Sequence, residues 1–586
     1  MVLPAERLRS GEGVVQETVP LIVAAQHRRQ PTEVRDNGPL AGGAVERNLV
    51  GVGLTETAPM VTVSRDRIGW DALNASQRAQ KLARAGAPAI GVAVKLTSEG
   101  EIIARANHFS PAYWRNPEAT AQALHEDWFR AGDGGAVDDE GYYSITDRKK
   151  DAVVTGGEAA AALVKSGDWV DYGAGLGQPD AFDSALAERI GDLLDVSIRG
   201  CLSMRTRAVV EADPHGEHVT FYNWHMGGYD RKQSDVGRQH YIPCNLGEIP
   251  NYYRRFIDPV DVMVVKTCPM DADGYFNLSA ANLWHGAVAS HAKVVVVEID
   301  PALPYLHGID NGLHRSLVDY VIDGTGQPLP ELPNPAPTDA DRAVARLIAT
   351  EIEDGACLQI GIGAMPNAVC SLLLESGVRN LGIHTEMLTD GIVDLYRAGV
   401  VTGSMKSIHP GKIVCSFGLG SKSTYRTIHN NPDISSQTVD MTNLPHLIIQ
   451  NDRLTAINNT TQMDLQGQAA SESNGHRHIS GSGGQLQFVR AAYASKGGKS
   501  FVCMSSTYER NGERRSRVVL NLSPGNIVTA PRSDMMYVVT EFGVVNLKGK
   551  SVPERAKAMI SLAHPDFRDD LARDARANGL LPRSFA

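Results

Sequence analysis

The residue best placed to do chemistry is Glu386, in the stretch Leu381-Gly-Ile-His-Thr-Glu-Met-Leu-Thr-Asp-Gly391. Leu381 to Ile383 suit a brief buried strand, and Ile392, Leu395 and Tyr396 then recur at helical spacing. Glu386 therefore falls where a strand gives way to a loop, the position at which α/β folds collect their chemistry. An ordinary glutamate, with a pKa of about 4.3, is ionised at neutral pH and attacks an electrophilic carbonyl without help from a base. A lone glutamate ahead of a helix is more often a cap, so the weight of Glu386 rests on its companions. These are Gly361-Ile-Gly-Ala-Met-Pro-Asn367, Asp464-Leu-Gln-Gly-Gln468, the glycine loop in Ile479-Ser-Gly-Ser-Gly-Gly-Gln-Leu-Gln-Phe488, Arg514 with Ser516-Arg517, and Val538-Val-Thr-Glu-Phe-Gly543. Gly483 and Gly484 offer backbone N–H donors for an oxyanion, or else form a tight turn between strands.

The elements that must position these residues repeat. Lys165-Ser-Gly-Asp-Trp-Val-Asp-Tyr-Gly-Ala-Gly175 leads to Pro179 and a helical pattern, and Asp354-Gly-Ala-Cys-Leu-Gln-Ile-Gly-Ile-Gly363 leads to Pro366 and another. Gly167, Gly173 and Gly175 match Gly355, Gly361 and Gly363 at one constant offset, 355 − 167 = 188. Each segment reads as a turn, a buried strand, a Gly-x-Gly bend and a Pro-started helix, whose free N–H groups suit an anion. The recurrence implies two related α/β domains. Between them, Gly324 to Pro337 is a Pro-rich connector expected to be extended and poorly hydrogen-bonded, followed by a helix from Asp339 to Ile352 capped by Thr338. Val262–Val265 and Val294–Val297 suit central strands buried on both faces of open, mostly parallel sheets.

A chain of 586 residues exceeds a single ordinary core. Its formal charge of −10 speaks against general nucleic-acid binding, and no apolar run is long enough to span a membrane. The seven cysteines show no zinc-type spacing and no close pair, which points to buried, reduced thiols, no metal site and a cytoplasmic location.

Residues 1–44 carry no assignable fold and suit disorder. From there to residue 158 the chain shows Gly53-Leu-Thr-Glu-Thr-Ala-Pro59, Tyr113-Trp114, Trp128-Phe-Arg-Ala-Gly-Asp133, Gly141-Tyr-Tyr143, Asp147-Arg-Lys-Lys-Asp151 and Thr155-Gly-Gly-Glu158. This series resembles the later motifs of adenylate-forming acyl-CoA synthetases. Asp133 matches their ribose-holding residue, Arg148 the hinge arginine, and Thr55 and Glu56 the pair beside the phosphates. The Ser/Thr/Gly-rich loop for the triphosphate is missing, as is the lysine of the mobile C-terminal domain. Residues 45–158 therefore read as a truncated fragment with a docking or vestigial role rather than ligase activity.

Residues 160 to 575, ending on Ala563-His-Pro-Asp-Phe-Arg568, resemble class I CoA-transferases of the acetyl-CoA hydrolase/transferase group, and within it the 4-hydroxybutyrate and butyrate CoA-transferases. The resemblance implies an α/β architecture of two related open domains, residues 159–323 and 338–586, joined by the 324–337 linker and preceded by the partial adenylation segment. It implies that Glu386 is the nucleophile of a ping-pong reaction through a glutamyl-CoA thioester, with Gly483 and Gly484 as oxyanion donors. Gly363, Ala364, Met365, Pro366 and Asn367 match the CoA-binding segment, joined by Gly484 and by Arg514 at the phosphates. Gln468 and Glu541 match positions lining the carboxylate pocket, with a structural pair partner as the alternative reading of Glu541. His384 is read as a positioning residue on the substrate side, and His225, in an aromatic stretch, shapes the acyl end or simply packs in the core. CoA and acyl-CoA are substrates rather than permanently bound cofactors, and the implied assembly is a homo-oligomer. An acyl-CoA hydrolase, a non-catalytic CoA-binding fusion protein and an ATP-dependent ligase remain as rival readings.

Overall fold

The computed structural model describes residues 153–582 continuously and, before them, residues 50–52, 62–64, 87–88, 92–98, 100–106, 124–125, 127–139 and 141–148. The chain divides into two compact units, Met1–Asp151 and Ala152–Ala586.

In the first unit, strands Ala93–Leu96, Glu101–Arg105, Leu124–His125, Trp128–Val137 and Tyr143–Arg148 form an antiparallel sheet. Val92 and Ala104 make a small core, and the Tyr143 hydroxyl donates to the Val94 carbonyl at 2.8 Å. The backbone register sets Asp133 opposite Arg148. Thr55, Glu56 and Tyr113-Trp114, which carry other parts of the synthetase resemblance, lie outside the described residues.

The second unit is built on two eight-stranded sheets, with several two- and three-stranded ones beside them; the strands of the large sheets are numbered from Val153. The first comprises β1 (Val153–Val154), β2 (Trp169–Ala174), β3 (Val196–Cys201), β4 (Val219–Asn223), β5 (Gln239–Tyr241), β6 (Val262–Thr267), β7 (Val294–Ile299) and β8 (Tyr320–Asp323), in the order 5-4-3-2-6-7-8-1, all parallel. The second comprises β9 (Cys357–Ile360), β10 (Gly382–His384), β11 (Ile413–Cys415), β12 (Ile434–Ser436), β13 (Leu454–Asn459), β14 (Lys499–Cys503), β15 (Tyr537–Thr540) and β16 (Gly543–Asn546), in the order 12-11-10-9-13-14-15-16. Seven consecutive strands thus have the same order in both sheets, which is the structural form of the 188-residue repeat. Gly167 and Gly355 both adopt positive φ (83° and 71°), as do Gly175 and Gly363 (54° and 120°), so glycine recurs where the left-handed backbone favours it.

The sheets differ at the edge beyond the last shared strand. β1 adds in parallel to the first, so residues 153–154, assigned from sequence to the preceding fragment, belong to this sheet. The antiparallel hairpin strand β16 closes the second. β6 is buried along its whole length, as its unbroken Val-rich run requires of a strand covered on both faces.

The helices of this unit include α1 (Ala181–Arg189), α2 (Gly228–Asp235), α3 (Asp339–Ala349), α4 (Ala364–Glu375), α5 (Val439–Asn443) and α6 (Gln485–Ala494). The expected cap of α3 is present as a capping box. Thr338 Oγ1 accepts from Asp341 N–H at 3.2 Å, and the Asp341 carboxylate accepts from Thr338 N–H at 2.8 Å. The Pro-rich connector has no regular structure, as expected, but it is tied down. The Tyr425 hydroxyl donates to the Pro330 carbonyl at 2.7 Å, Leu332 N–H to the Gly420 carbonyl at 3.2 Å, and Asn367 Nδ2 to Asn334 Oδ1 at 2.7 Å. All seven cysteines are free and buried.

Candidate active site

In each sheet the strand order reverses beside the repeated strand, between β2 and β6 and between β9 and β13. A crevice opens there at the C-terminal ends of the strands, the usual ligand position in open α/β sheets. In the first sheet the protein fills it. The Glu298 carboxylate accepts from the N–H groups of Asp180, Ala181 and Phe182 at 2.9–3.1 Å, occupying the start of α1. Asp180 in turn is ringed by Lys266, Arg205 and Arg207, which hold its carboxyl below the usual range against the opposing effect of burial.

In the second crevice, no side chain among the described residues caps the start of the matching helix, Ala364–Glu375. Gly363 bends the chain out of β9 beside Asn459, whose Nδ2 would stand 3.4 Å from a Cβ at that position. α4 then begins, presenting its first-turn N–H groups to the crevice edge. Met365 and Pro366 are buried, Gly363, Ala364 and Asn367 are half-buried, and Ile362 is 44% exposed at the tip of the turn. Pro366 is the third residue of α4 rather than the first, a place that also needs no intrahelical N–H donor.

Glu386 sits at the end of the neighbouring strand β10, on the same edge. Its backbone carbonyl accepts from Ser416 N–H at 2.9 Å and Phe417 N–H at 3.2 Å, which fixes the loop after the strand. Its side chain is ringed by protein, with only part of the residue reaching solvent. Asn443, the last residue of α5, donates through Nδ2 to Glu386 Oε2 at 2.5 Å, and Gly484 N–H also bonds the carboxylate. A Cβ on Gly484 would lie 2.4 Å from both Glu386 Oε2 and Asn443 Nδ2, so only glycine permits this approach. Burial raises the Glu386 carboxyl to about 7, against the lowering effect of the Asn443 and Gly484 bonds. This corrects the expectation of an ordinary acid: loss of water destabilises the charged form by more than the two donors restore.

The two carboxylate oxygens differ. Oε2 takes the Asn443 bond, whereas Oε1 faces the side of Gly483 and His225, both lying within 3.6–3.8 Å of the Gly483 Cβ position. The glycine loop is held by the first α/β domain: Arg231 donates to the Ile479 carbonyl at 2.7 Å, Ser482 N–H to the Tyr241 hydroxyl at 3.1 Å, Leu246 N–H to the Gly483 carbonyl at 3.1 Å and Gly247 N–H to Gln487 Oε1 at 3.1 Å. Burial and the nearby Arg231 charge lower His225 to about 4, so its imidazole is neutral. A carboxylate held by two fixed donors suits a group that attacks a carbonyl and then carries an oxyanion itself.

The structure thus brings Glu386, Gly483 and Gly484 together and sets Gly363–Asn367 on the adjoining strand end. His384 lies behind the site: it is buried, with Nε2 donating to the Thr442 carbonyl at 2.9 Å, and burial lowers it to about 3. Glu541 accepts from Ser506 N–H at 2.8 Å and Ser506 Oγ at 2.6 Å. Gln468 donates to Asp464 at 2.6 Å within its own turn. These bonds tie both side chains to neighbouring residues rather than to Glu386. Arg514 stands on the hairpin Thr507–Arg510/Glu513–Ser516, half-exposed, 3.5 Å from Asp566 and from His564 Nε2. Sequence reasoning missed Asn443, which no motif or spacing marks in Asp440-Met-Thr-Asn-Leu444.

Residues 147–333 match the acetyl-CoA hydrolase/transferase N-terminal domain, and residues 420–575 match the C-terminal domain of the same family. The chain is 43% identical over 430 residues to a butyryl-CoA:acetate CoA-transferase of Anaerostipes caccae, covering 73% of this chain and 96% of that protein. It is 37% identical over 427 residues to a 4-hydroxybutyrate coenzyme A transferase of Clostridium kluyveri, covering 72% and 97%. The crystal structure of RipA from Yersinia pestis superposes with a TM-score of 0.67 at 35% identity, covering 73% of this chain and 98% of that one. A shorter match, 35% over 132 residues, is to a feruloyl-CoA synthase of an Amycolatopsis species and spans 25% of that enzyme. With the fold, the second crevice and the glutamate at its edge in agreement with these likenesses, the chain belongs to the acetyl-CoA hydrolase/transferase family.

Proposed function

We propose that the protein transfers coenzyme A from a short-chain acyl-CoA to a carboxylate of the acetate, butyrate or 4-hydroxybutyrate type, with Glu386 as the nucleophile. The observation that carries this reading is the hold on Glu386: Asn443 Nδ2 donates to Oε2 and Gly484 N–H bonds the same carboxylate, while Oε1 faces Gly483 and His225.

Oε1 attacks the thioester carbonyl, the C–S bond breaks, and CoA leaves as the thiolate with a mixed glutamyl–acyl anhydride on the enzyme. The thiolate then attacks the glutamyl carbonyl carbon, whose oxygen Oε2 bears the negative charge of the tetrahedral intermediate between Asn443 Nδ2 and Gly484 N–H. Collapse expels the first carboxylate with the former Oε1 and leaves glutamyl-CoA. The acceptor carboxylate runs the same steps backwards, so the thioester energy is kept and the kinetics are ping-pong. Preset donors at an oxyanion stabilise such intermediates by several kcal/mol, ~3–4 for a single donor. The Gly363–Asn367 turn and α4 bind CoA in this reading, with Arg514 near its phosphates. The same reading includes a cytoplasmic homo-oligomer, and an N-terminal segment of adenylating-enzyme descent without ligase activity. The partial synthase match supports that descent.

Incubation with butyryl-CoA and labelled acetate tests the reading. It expects labelled acetyl-CoA in proportion to butyryl-CoA consumed. Release of free CoA thiol at the same rate without any acceptor identifies a hydrolase instead.

A further inference from the structure

Asn443 can serve Glu386 only if its amide nitrogen, not its amide oxygen, faces the carboxylate, because an ionised carboxylate accepts and cannot donate. The two ends of an asparagine amide have nearly the same shape, so packing alone does not choose between them. Something must bind the oxygen end.

The structure supplies it in a buried chain of hydroxyls. Thr442 Oγ1 donates to Asn443 Oδ1 at 2.8 Å, a closer contact than the 3.5 Å to the carbonyls of Thr438 and Val439. Ser416 Oγ lies 2.6 Å from Thr442 Oγ1. Since the single Thr442 proton points to Asn443, the Ser416 proton must point to Thr442. His384 Nε2 holds the Thr442 carbonyl from the other side. Ser416, Thr442 and Asn443 are all completely buried, and His384 is 1% exposed, so water does not compete for these bonds. The hydrogen-bond direction therefore runs from Ser416 through Thr442 and Asn443 to Glu386 Oε2. Ser416 closes the loop, because its own N–H binds the Glu386 carbonyl at 2.9 Å.

We infer that Thr442 is a positioning residue for CoA transfer: its hydroxyl, ordered by Ser416, locks the Asn443 amide with Nδ2 toward Glu386. This rests on the assignment of Glu386 as nucleophile. It explains why a buried threonine precedes Asn443 and why strand β10 carries a histidine that does no proton transfer of its own.

The test uses the full chain and substitutes Thr442→Val, which keeps the shape and removes the donor, alongside Thr442→Ser, which keeps the hydroxyl. Covalent labelling of wild-type Glu386 by acyl-CoA is measured first, so that failure of the nucleophile assignment is seen separately. Thr442→Val is expected to lower kcat by about tenfold or more, a fraction of the loss on deleting an oxyanion donor. KM for acyl-CoA should stay within about twofold, since the CoA turn is untouched. The acid limb of the pH–rate profile should move to higher pH, because Glu386 loses a donor to its charged form. Thr442→Ser should restore both. A folded Thr442→Val enzyme with unchanged kcat and acid limb overturns the inference, as does Thr442→Ser failing equally. If Thr442→Val does not accumulate folded, Ser416→Ala replaces it, and an unmoved acid limb there overturns the inference too.

Discussion

The Asn443 amide meets Glu386 Oε2 at 2.5 Å from a helix end 57 positions further along the chain, 443 − 386 = 57. That contact converts a glutamate at a strand end into a carboxylate with one held and one reactive oxygen. Replacement by alanine, Asn443→Ala, removes one of two oxyanion donors and should cost about a hundred- to a thousandfold in kcat. Steady-state kinetics in both transfer directions check this, and a loss confined to KM would argue against the assigned role.

The height of the Glu386 carboxyl predicts a pH profile. The nucleophile must be ionised, and burial places its titration near 7. Activity of the free enzyme, read as kcat/KM, should therefore fall below pH 7 with the slope of a single proton. A flat profile down to pH 5 would mean that Glu386 keeps the ordinary acidity assigned to it from sequence.

The same burial predicts a stability change. Glu386 has a folded-state pKa raised from the ordinary 4.5 to about 7. Between those values the unfolded chain releases a proton that the folded chain keeps, so folding stability falls as pH rises through this window. Above pH 7 the cost is complete, up to about 3 kcal/mol. Glu386→Gln removes the charge, and should stabilise the protein at pH 8 while changing little at pH 4.5. Urea unfolding at the two pH values checks the difference, and an equal effect at both would contradict it.

Gly484 gives a steric test. A methyl group there would lie 2.4 Å from both Glu386 Oε2 and Asn443 Nδ2. Gly484→Ala should thus abolish transfer, whereas Gly191→Ala, with open space around its Cβ position, should leave kcat within about twofold. Parallel assays of the two variants decide whether close approach at residue 484 matters.

The extent to which this site can be read from sequence depends on which constraints are local. The strand–Gly-x-Gly–helix repeat is legible because Gly175 and Gly363 take positive-φ backbone conformations that favour glycine. Glu386 is legible because it ends a short apolar run, and the Gly483-Gly484 loop because glycines crowd the stretch Gly481 to Gly484. Asn443 is not, since its function comes from α5 packing beside β10, and nothing in its own neighbourhood records that. The acidity of Glu386 is likewise a property of what surrounds it. For Glu541 and Gln468 the family resemblance implies a pocket lining, and the structure adds what sequence does not carry, that their polar atoms bind Ser506 and Asp464. The plug in the first crevice is hidden too, because Glu298 reaches the start of α1 from β7, more than a hundred residues away.

The central claim, a covalent glutamyl-CoA at Glu386, is tested most directly by incubating the enzyme with acyl-CoA, reducing with borohydride and mapping the peptides by mass spectrometry. The predicted result is reduction of the thioester to an alcohol at residue 386 alone, and no modification in Glu386→Ala. A CoA or acyl adduct on another side chain, or full exchange activity in Glu386→Ala, would contradict it.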